Sequence, residues 1–151
     1  MAIDLVVNGY FRSGTTYLWK VFKEAFPERL CLYEPCNPEL ANWLVRNARG
    51  DDATAIHAIR PWSEYSRLDS ATIDALLLNH PNRRSGGGMN AVGLKAFLDI
   101  LHLLPQSVIL QPNRYHLFLK LIADTYGAKV IHVVRHPITV FQSIERAFAV
   151  M

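Results

Sequence analysis

The chain is poor in the residues that build metal sites, disulfide frameworks and membrane spans. Cysteine occurs twice, as Cys31 and Cys36 around Leu-Tyr-Glu-Pro, and no histidine pair at helical i, i+4 spacing stands beside them. The ligand count of a zinc site is therefore not reached. The pair reads as two reduced thiols of a cytosolic protein, with a local disulfide as the alternative. No apolar run approaches the roughly 18 residues that a membrane span needs. Ile3 to Val7 is too short for a signal-peptide core and lacks a basic flank, which leaves a cytoplasmic chain as the expectation. There is no internal repeat, no low-complexity tract and no dense basic stripe, so the electrostatic footprint of a nucleic-acid binder is missing. Sixteen Lys and Arg against 13 Asp and Glu leave only +3, a mild excess that suits an anionic ligand.

What is present is a chain of 151 residues, half of them hydrophobic and 19% charged. That balance predicts one globular domain spanning residues 1–151. Its most informative stretch is Leu5-Val6-Val7-Asn8-Gly9-Tyr10-Phe11-Arg12-Ser13-Gly14-Thr15-Thr16. A short β-branched run leads into Gly9, four residues, Gly14 and two threonines. Leu18, Val21, Phe22, Ala25 and Phe26 then recur at the spacing of one helical face. The phosphate-cradling loop G-x-x-x-x-G-K-[ST] has this layout, except that Thr15 replaces the lysine and a cation stands at Arg12. The helix start turns unpaired N–H groups and a positive dipole end toward the loop. Ser13, Thr15 and Thr16 add hydroxyls, and Arg12 a fork of donors. The segment predicts an anion site that is not built like that of an ATPase.

Further along, strands and helices alternate. Glu28 to Tyr33 reads as an extended segment. Asn37-Pro38-Glu39 opens a helix that runs through Leu40, Trp43 and Leu44 toward Gly50, and a helical turn follows around Asp52 to Ala58. Ser70 to Asn79 reads as a helix capped by Ser70, and Asn82 to Gly88 as a basic glycine loop, with a lid over an anion as its sharper reading. Val92 to Lys95 and Val108 to Leu110 read as strands. Pro112 opens a helix to Tyr126 with Leu117, Phe118, Leu121 and Ile122 inward and Gly127 as its stop. Lys129 to Val134 reads as a strand and Ile138 to Val150 as a final helix. Such alternation predicts an α/β fold, a three-layer parallel β-sheet flanked by helices. Ligands in such sheets bind beyond the C-terminal strand ends, where the reading places Gly9 to Ser13, Glu34, Lys95, Gln111 and Arg135-His136. Arg135 at a strand tip and Ser143 on the next helix form a second candidate phosphate site.

With both anchors in view, the chain resembles the sulfotransferases that use 3'-phosphoadenosine 5'-phosphosulfate (PAPS) as donor. In that family a [K/R]-S-G-T-T loop binds the 5'-phosphosulfate, and a strand-end arginine with a serine eight residues on binds the 3'-phosphate. The resemblance assigns these roles to Arg12, Ser13, Gly14, Thr15 and Thr16, and to Arg135 and Ser143. It implies a P-loop nucleotide-hydrolase-like fold, no metal, and sulfuryl transfer to a hydroxyl or amine on a small molecule, glycan or peptide, with no nucleic-acid or membrane partner. The Arg-Ser-Gly-Thr-Thr form is similar to the bacterial, tyrosylprotein and glycan branches, whose glutamate base corresponds to Glu34; Arg12 would assist catalysis. Phe97 occupies the place of the phenol branch's histidine, and Gln111 that of a lysine in many bacterial relatives. The resemblance covers essentially the whole chain but only about the first half to two-thirds of the family fold. It thus implies an incomplete, truncated version of that fold, or a reduced relative that completes its site as a homodimer. A small P-loop kinase and a non-catalytic nucleotide-binding or oligomerisation module are the alternative readings.

Overall fold

The computed structural model describes residues 2–10, 12–47, 62–81, 91–113 and 115–148. The expected turn at 52–58, the helix end near Gly50 and the basic glycine loop at 82–88 lie outside them. Four strands, β1 (Ile3–Gly9), β2 (Leu30–Tyr33), β3 (Val108–Gln111) and β4 (Lys129–Val133), form one parallel sheet in the order β2-β3-β1-β4. The helices are α1 (Thr15–Ala25), α2 (Pro38–Asn47), α3 (Ser70–Leu78), α4 (Ala91–His102), α5 (Leu119–Tyr126) and α6 (Pro137–Phe148), with a 3-10 turn at Ser63–Arg67. The fold is α/β, a four-stranded parallel sheet flanked by helices. No helix among the described residues is long and apolar enough to cross a membrane.

The order follows from the connections. From β1 the chain crosses over β3 to reach β2; from β3 it crosses back over β1 to reach β4. Right-handed crossovers in opposite directions put α1 and α5 on opposite faces of the sheet. The direction reverses between β1 and β3, the place where sheets of this kind bind ligands at their C-terminal strand ends. Core strands pack on both faces, as parallel sheets require: Val6, Val7, Leu30, Leu32 and Val108 to Leu110 are almost wholly buried. Trp19 of α1 lies under β2 and donates its ring N–H to the Cys31 carbonyl at 2.8 Å. Neither cysteine is in a disulfide; burial pushes the Cys31 thiol up to about 11.

Three expectations are corrected. Val92 to Lys95 is not a strand but the start of α4, whose Leu94, Phe97, Leu98 and Leu101 are buried at i, i+3, i+4, i+7. A four-residue apolar run has no period of its own, and the longer helical period wins. Lys95 is therefore absent from the strand-end rim and pairs with Asp99 at 2.8 Å on the helix surface. The helix expected from Pro112 begins only at Leu119, because Asn113 and Tyr115 turn inward; the Tyr115 hydroxyl meets Cys36 Sγ at 2.9 Å. Leu117, expected inward, is 91% exposed in consequence, and Leu121 lies at the surface as well. The cap of α3 is Asp69, not Ser70: its carboxylate accepts from the Thr72 N–H at 2.7 Å, which also holds its carboxyl below the usual range. Gly127 ends α5 as expected, in the left-handed region at φ 66°.

The contrast between Leu110 and Leu117 is measurable. Leu110→Ala removes a fully buried side chain from the central sheet and should cost about 2–5 kcal/mol in urea unfolding. Leu117→Ala should change stability by less than about 0.5 kcal/mol. Equal losses would contradict the chain path between β3 and α5.

Candidate functional site

Gly9 ends β1 beside Val133 of β4. A Cβ on Gly9 would lie 2.5 Å from Ser13 Oγ, 2.7 Å from Thr15 Cγ2 and 3.0 Å from the Val133 carbonyl oxygen, so the close folding of the loop onto β1 requires glycine. The Ser13 N–H donates to the Tyr10 carbonyl at 3.1 Å. Gly14, at φ 101°, turns the chain into α1, and the Leu18 N–H makes the first i→i−4 bond to the Gly14 carbonyl. The N–H groups of Thr15, Thr16 and Tyr17 precede that bond and have no partner in the helical ladder. Ser13 Oγ is buried without a hydrogen-bond partner among the described residues.

The second expected anchor comes to the same place. Arg135 follows β4, and its guanidinium donates to the Arg12 carbonyl at 3.0 Å. Arg12 Nε donates to Ser143 Oγ of α6, also at 3.0 Å. Neither Arg12 nor Arg135 forms an ion pair with a carboxylate among the described residues, so two unneutralised guanidinium groups share one rim. Like charges so arranged raise the local potential for an anion. Arg12 is also held at φ 64°, a left-handed conformation that costs a non-glycine residue energy and clusters at functional sites.

Glu34 is the other non-glycine residue with positive φ among those described, at 37°. It follows β2, is 8% exposed, and both its carboxylate oxygens are engaged. Asn37 Nδ2 donates to Oε2 and Asn113 Nδ2 to Oε1, each at 2.5 Å. Asn113 is the hub: its Oδ1 accepts from the Thr15 hydroxyl and from Gln111 Nε2, both at 2.8 Å. The Thr16 hydroxyl lies 3.0 Å from the Tyr33 hydroxyl. Burial, with the Glu34 charge in second place, pushes Tyr33 up to about 12 and keeps it neutral.

A third set closes the rim. Asn8, fully buried on β1, has its amide oriented so that Nδ2 donates to the Pro112 carbonyl at 2.7 Å. Its oxygen then accepts from the ring nitrogens of His116 at 3.0 Å and His132 at 3.1 Å and from the Gly9 N–H at 3.2 Å. One amide thus ties β1, the loop after β3 and β4 together at the level of the Gly9–Gly14 loop.

No family model matches the chain, and no solved structure matches it. An uncharacterized protein of Archaeoglobus fulgidus is 33% identical over 146 residues, which are 92% of this chain and 46% of that protein. The chain spans about half the length of the curated relative it matches.

The structure brings Arg12, Ser13, Gly14, Thr15, Thr16, Arg135, Ser143, Glu34 and Gln111 to the C-terminal edge of the sheet, and leaves Lys95 out. Sequence reading missed Asn113 and Asn8 altogether. Their only signal was a polar residue inside, or just after, a strand with apolar neighbours, which is the usual mark of a buried polar group in need of partners.

Two measurements probe the packing. Gly9→Ala should destabilise by about 1–3 kcal/mol, because the Val133 backbone cannot yield as a side chain does; calorimetric unfolding reads the loss. Tyr33 holds its proton more tightly folded than unfolded, so its share of stability is intact below pH 10 and is lost as pH rises toward 12. The alkaline fall in stability over that window should be shallower in Tyr33→Phe.

Proposed function

We propose that the chain binds a 3',5'-bisphosphorylated adenosine donor and serves sulfuryl transfer from PAPS to a hydroxyl or amine acceptor. The observation that carries this reading is the contact between two motifs 131 residues apart, Arg12 on Ser143, with Arg135 on the Arg12 carbonyl. A single phosphate would need the loop alone; two cationic anchors on one rim suit a donor with two anionic ends. The residues fit such a donor in three respects. Gly9 leaves the space that the loop occupies, Ser13 Oγ is a buried hydroxyl without a partner among the described residues, and the α1 start presents N–H groups outside the helical ladder. We read β1, the loop and α1 as a variant P-loop in which Thr15 stands for the lysine, and no metal is required of it.

In this reading the acceptor oxygen or nitrogen bonds to sulfur while the bond from sulfur to the bridging phosphate oxygen breaks. Negative charge develops on that oxygen, where Arg12 and the α1 N–H groups stabilise it. The acceptor's proton passes to the Glu34 carboxylate, and the adenosine bisphosphate leaves with the electron pair of the broken bond. Arg135 and Ser143 hold the 3'-phosphate and so distinguish the donor from ordinary adenylates. Positioning and charge account for most of the rate, as in phosphoryl transfer.

Isothermal calorimetry tests the assignment. The chain should bind 3',5'-adenosine bisphosphate about tenfold or more tightly than 5'-AMP, the increment expected of one or two charge-assisted hydrogen bonds. Arg135→Ala should abolish the preference while leaving 5'-AMP binding unchanged. Equal affinity for the two nucleotides, or none for either, overturns the reading. Bisphosphate binding without sulfuryl transfer to a panel of hydroxyl and amine acceptors would assign a nucleotide-binding module instead.

A further inference from the structure

We propose that Asn113 is a positioning residue that latches Glu34 while it holds the Thr15 hydroxyl and releases it when an anion on the loop draws that hydroxyl away; the inference rests on reading the loop as the donor site and Glu34 as the base. A hydroxyl has one proton and serves one acceptor at a time. In this structure the Thr15 proton is given to Asn113 Oδ1 at 2.8 Å. The same amide donates through Nδ2 to Glu34 Oε1. One side chain therefore stands between the anion loop and the carboxylate. Thr15, Asn113 and Glu34 are all buried, so water cannot readily replace any partner in the chain.

Two further observations give the latch a second position. Gln111 Oε1 is a buried acceptor without a partner among the described residues, although Gln111 Nε2 already bonds Asn113 Oδ1. An anion at the α1 start is a stronger acceptor than an amide oxygen and competes for the Thr15 proton. Asn113 Oδ1 then loses one of its two donors, and Nδ2 can turn from Glu34 to the orphan oxygen of Gln111. That exchange satisfies an acceptor that is otherwise unpaired, which offsets the bond given up. Glu34, in its left-handed conformation at φ 37°, keeps its Asn37 bond but regains the lone pairs of Oε1 for an acceptor's proton. The base becomes available only when the donor is in place, and it does not have to be solvent-exposed beforehand.

The test is carboxyl labelling of the full chain with a water-soluble carbodiimide and glycinamide, with Glu34 followed by peptide mass spectrometry. Inorganic sulfate is the anion, and chloride at equal ionic strength is the control. In the wild-type chain, labelling of Glu34 should be slow in chloride and severalfold faster in sulfate. Asn113→Ala should label fast in both. Thr15→Val, which keeps the side-chain shape and removes the proton, should label fast in chloride and keeps the test decisive if Asn113→Ala does not fold. Equal rates for the wild type and both variants in chloride overturn the latch. This comparison needs no nucleotide, so it stands or falls separately from the calorimetric preference for the bisphosphate.

Discussion

The absence of a side chain at Gly9 is the constraint on which the rim depends. β1 lies between β3 and β4, and its last residue is pressed against the Val133 carbonyl on one side and against Ser13 and Thr15 on the other. With no Cβ in the way, the loop folds back onto the strand that launched it. Arg12 and Gly14 then take left-handed conformations, and α1 starts directly over the strand end. The Arg12 carbonyl and guanidinium meet Arg135 and Ser143 only because that turn is tight. A looser loop would keep the same residues and lose the convergence.

The electrostatics build on that geometry. Two guanidinium groups on one rim, neither paired with a carboxylate among the described residues, repel each other and raise the local potential for a counter-ion. The dipole end of α1 adds to the same potential. The Glu34 carboxylate, buried after β2, is held by two amide donors rather than by either arginine. Its charge therefore neutralises neither guanidinium group.

Local chemistry was legible in the sequence, and long-range chemistry was not. The glycines, hydroxyls and arginine of the loop are contiguous, and their spacing carries the turn and the helix start with it. The β-branched runs of β1 and β4 announce strands, of which β1 is largely buried and β4 is exposed from Lys129 to His132. Arg135 and Ser143 could be named because a strand end and the following helix are adjacent in the chain. Asn113 could not be, because its role exists only once β1, β2 and β3 lie side by side: its partners are Thr15, Gln111 and Glu34. The same holds for Asn8, which bonds partners after β3 and on β4. Lys95 failed for the opposite reason, since a window of four residues hid a helical period that is plain over the twelve residues of α4. Leu117 failed because the inward turns of Asn113 and Tyr115, both tertiary effects, displaced the helix start.

The two anchors differ in how firmly the fold holds them. The loop rises from β1, a central strand paired on both sides. Arg135 rises from β4, which pairs with β1 alone among the described residues and whose residues from Lys129 to His132 are all exposed. Parallel strands are ordinarily covered on both faces, so β4 has fewer neighbours to fix its tip than β1 has. The bonds from Arg135 to the Arg12 carbonyl and from Arg12 to Ser143 therefore run from the well-held half of the site to the less constrained half. They align the edge strand and α6 on the loop, and not the reverse. An anion bridging the two guanidinium groups would act in the same sense, adding to the fold a cross-link between its centre and its edge.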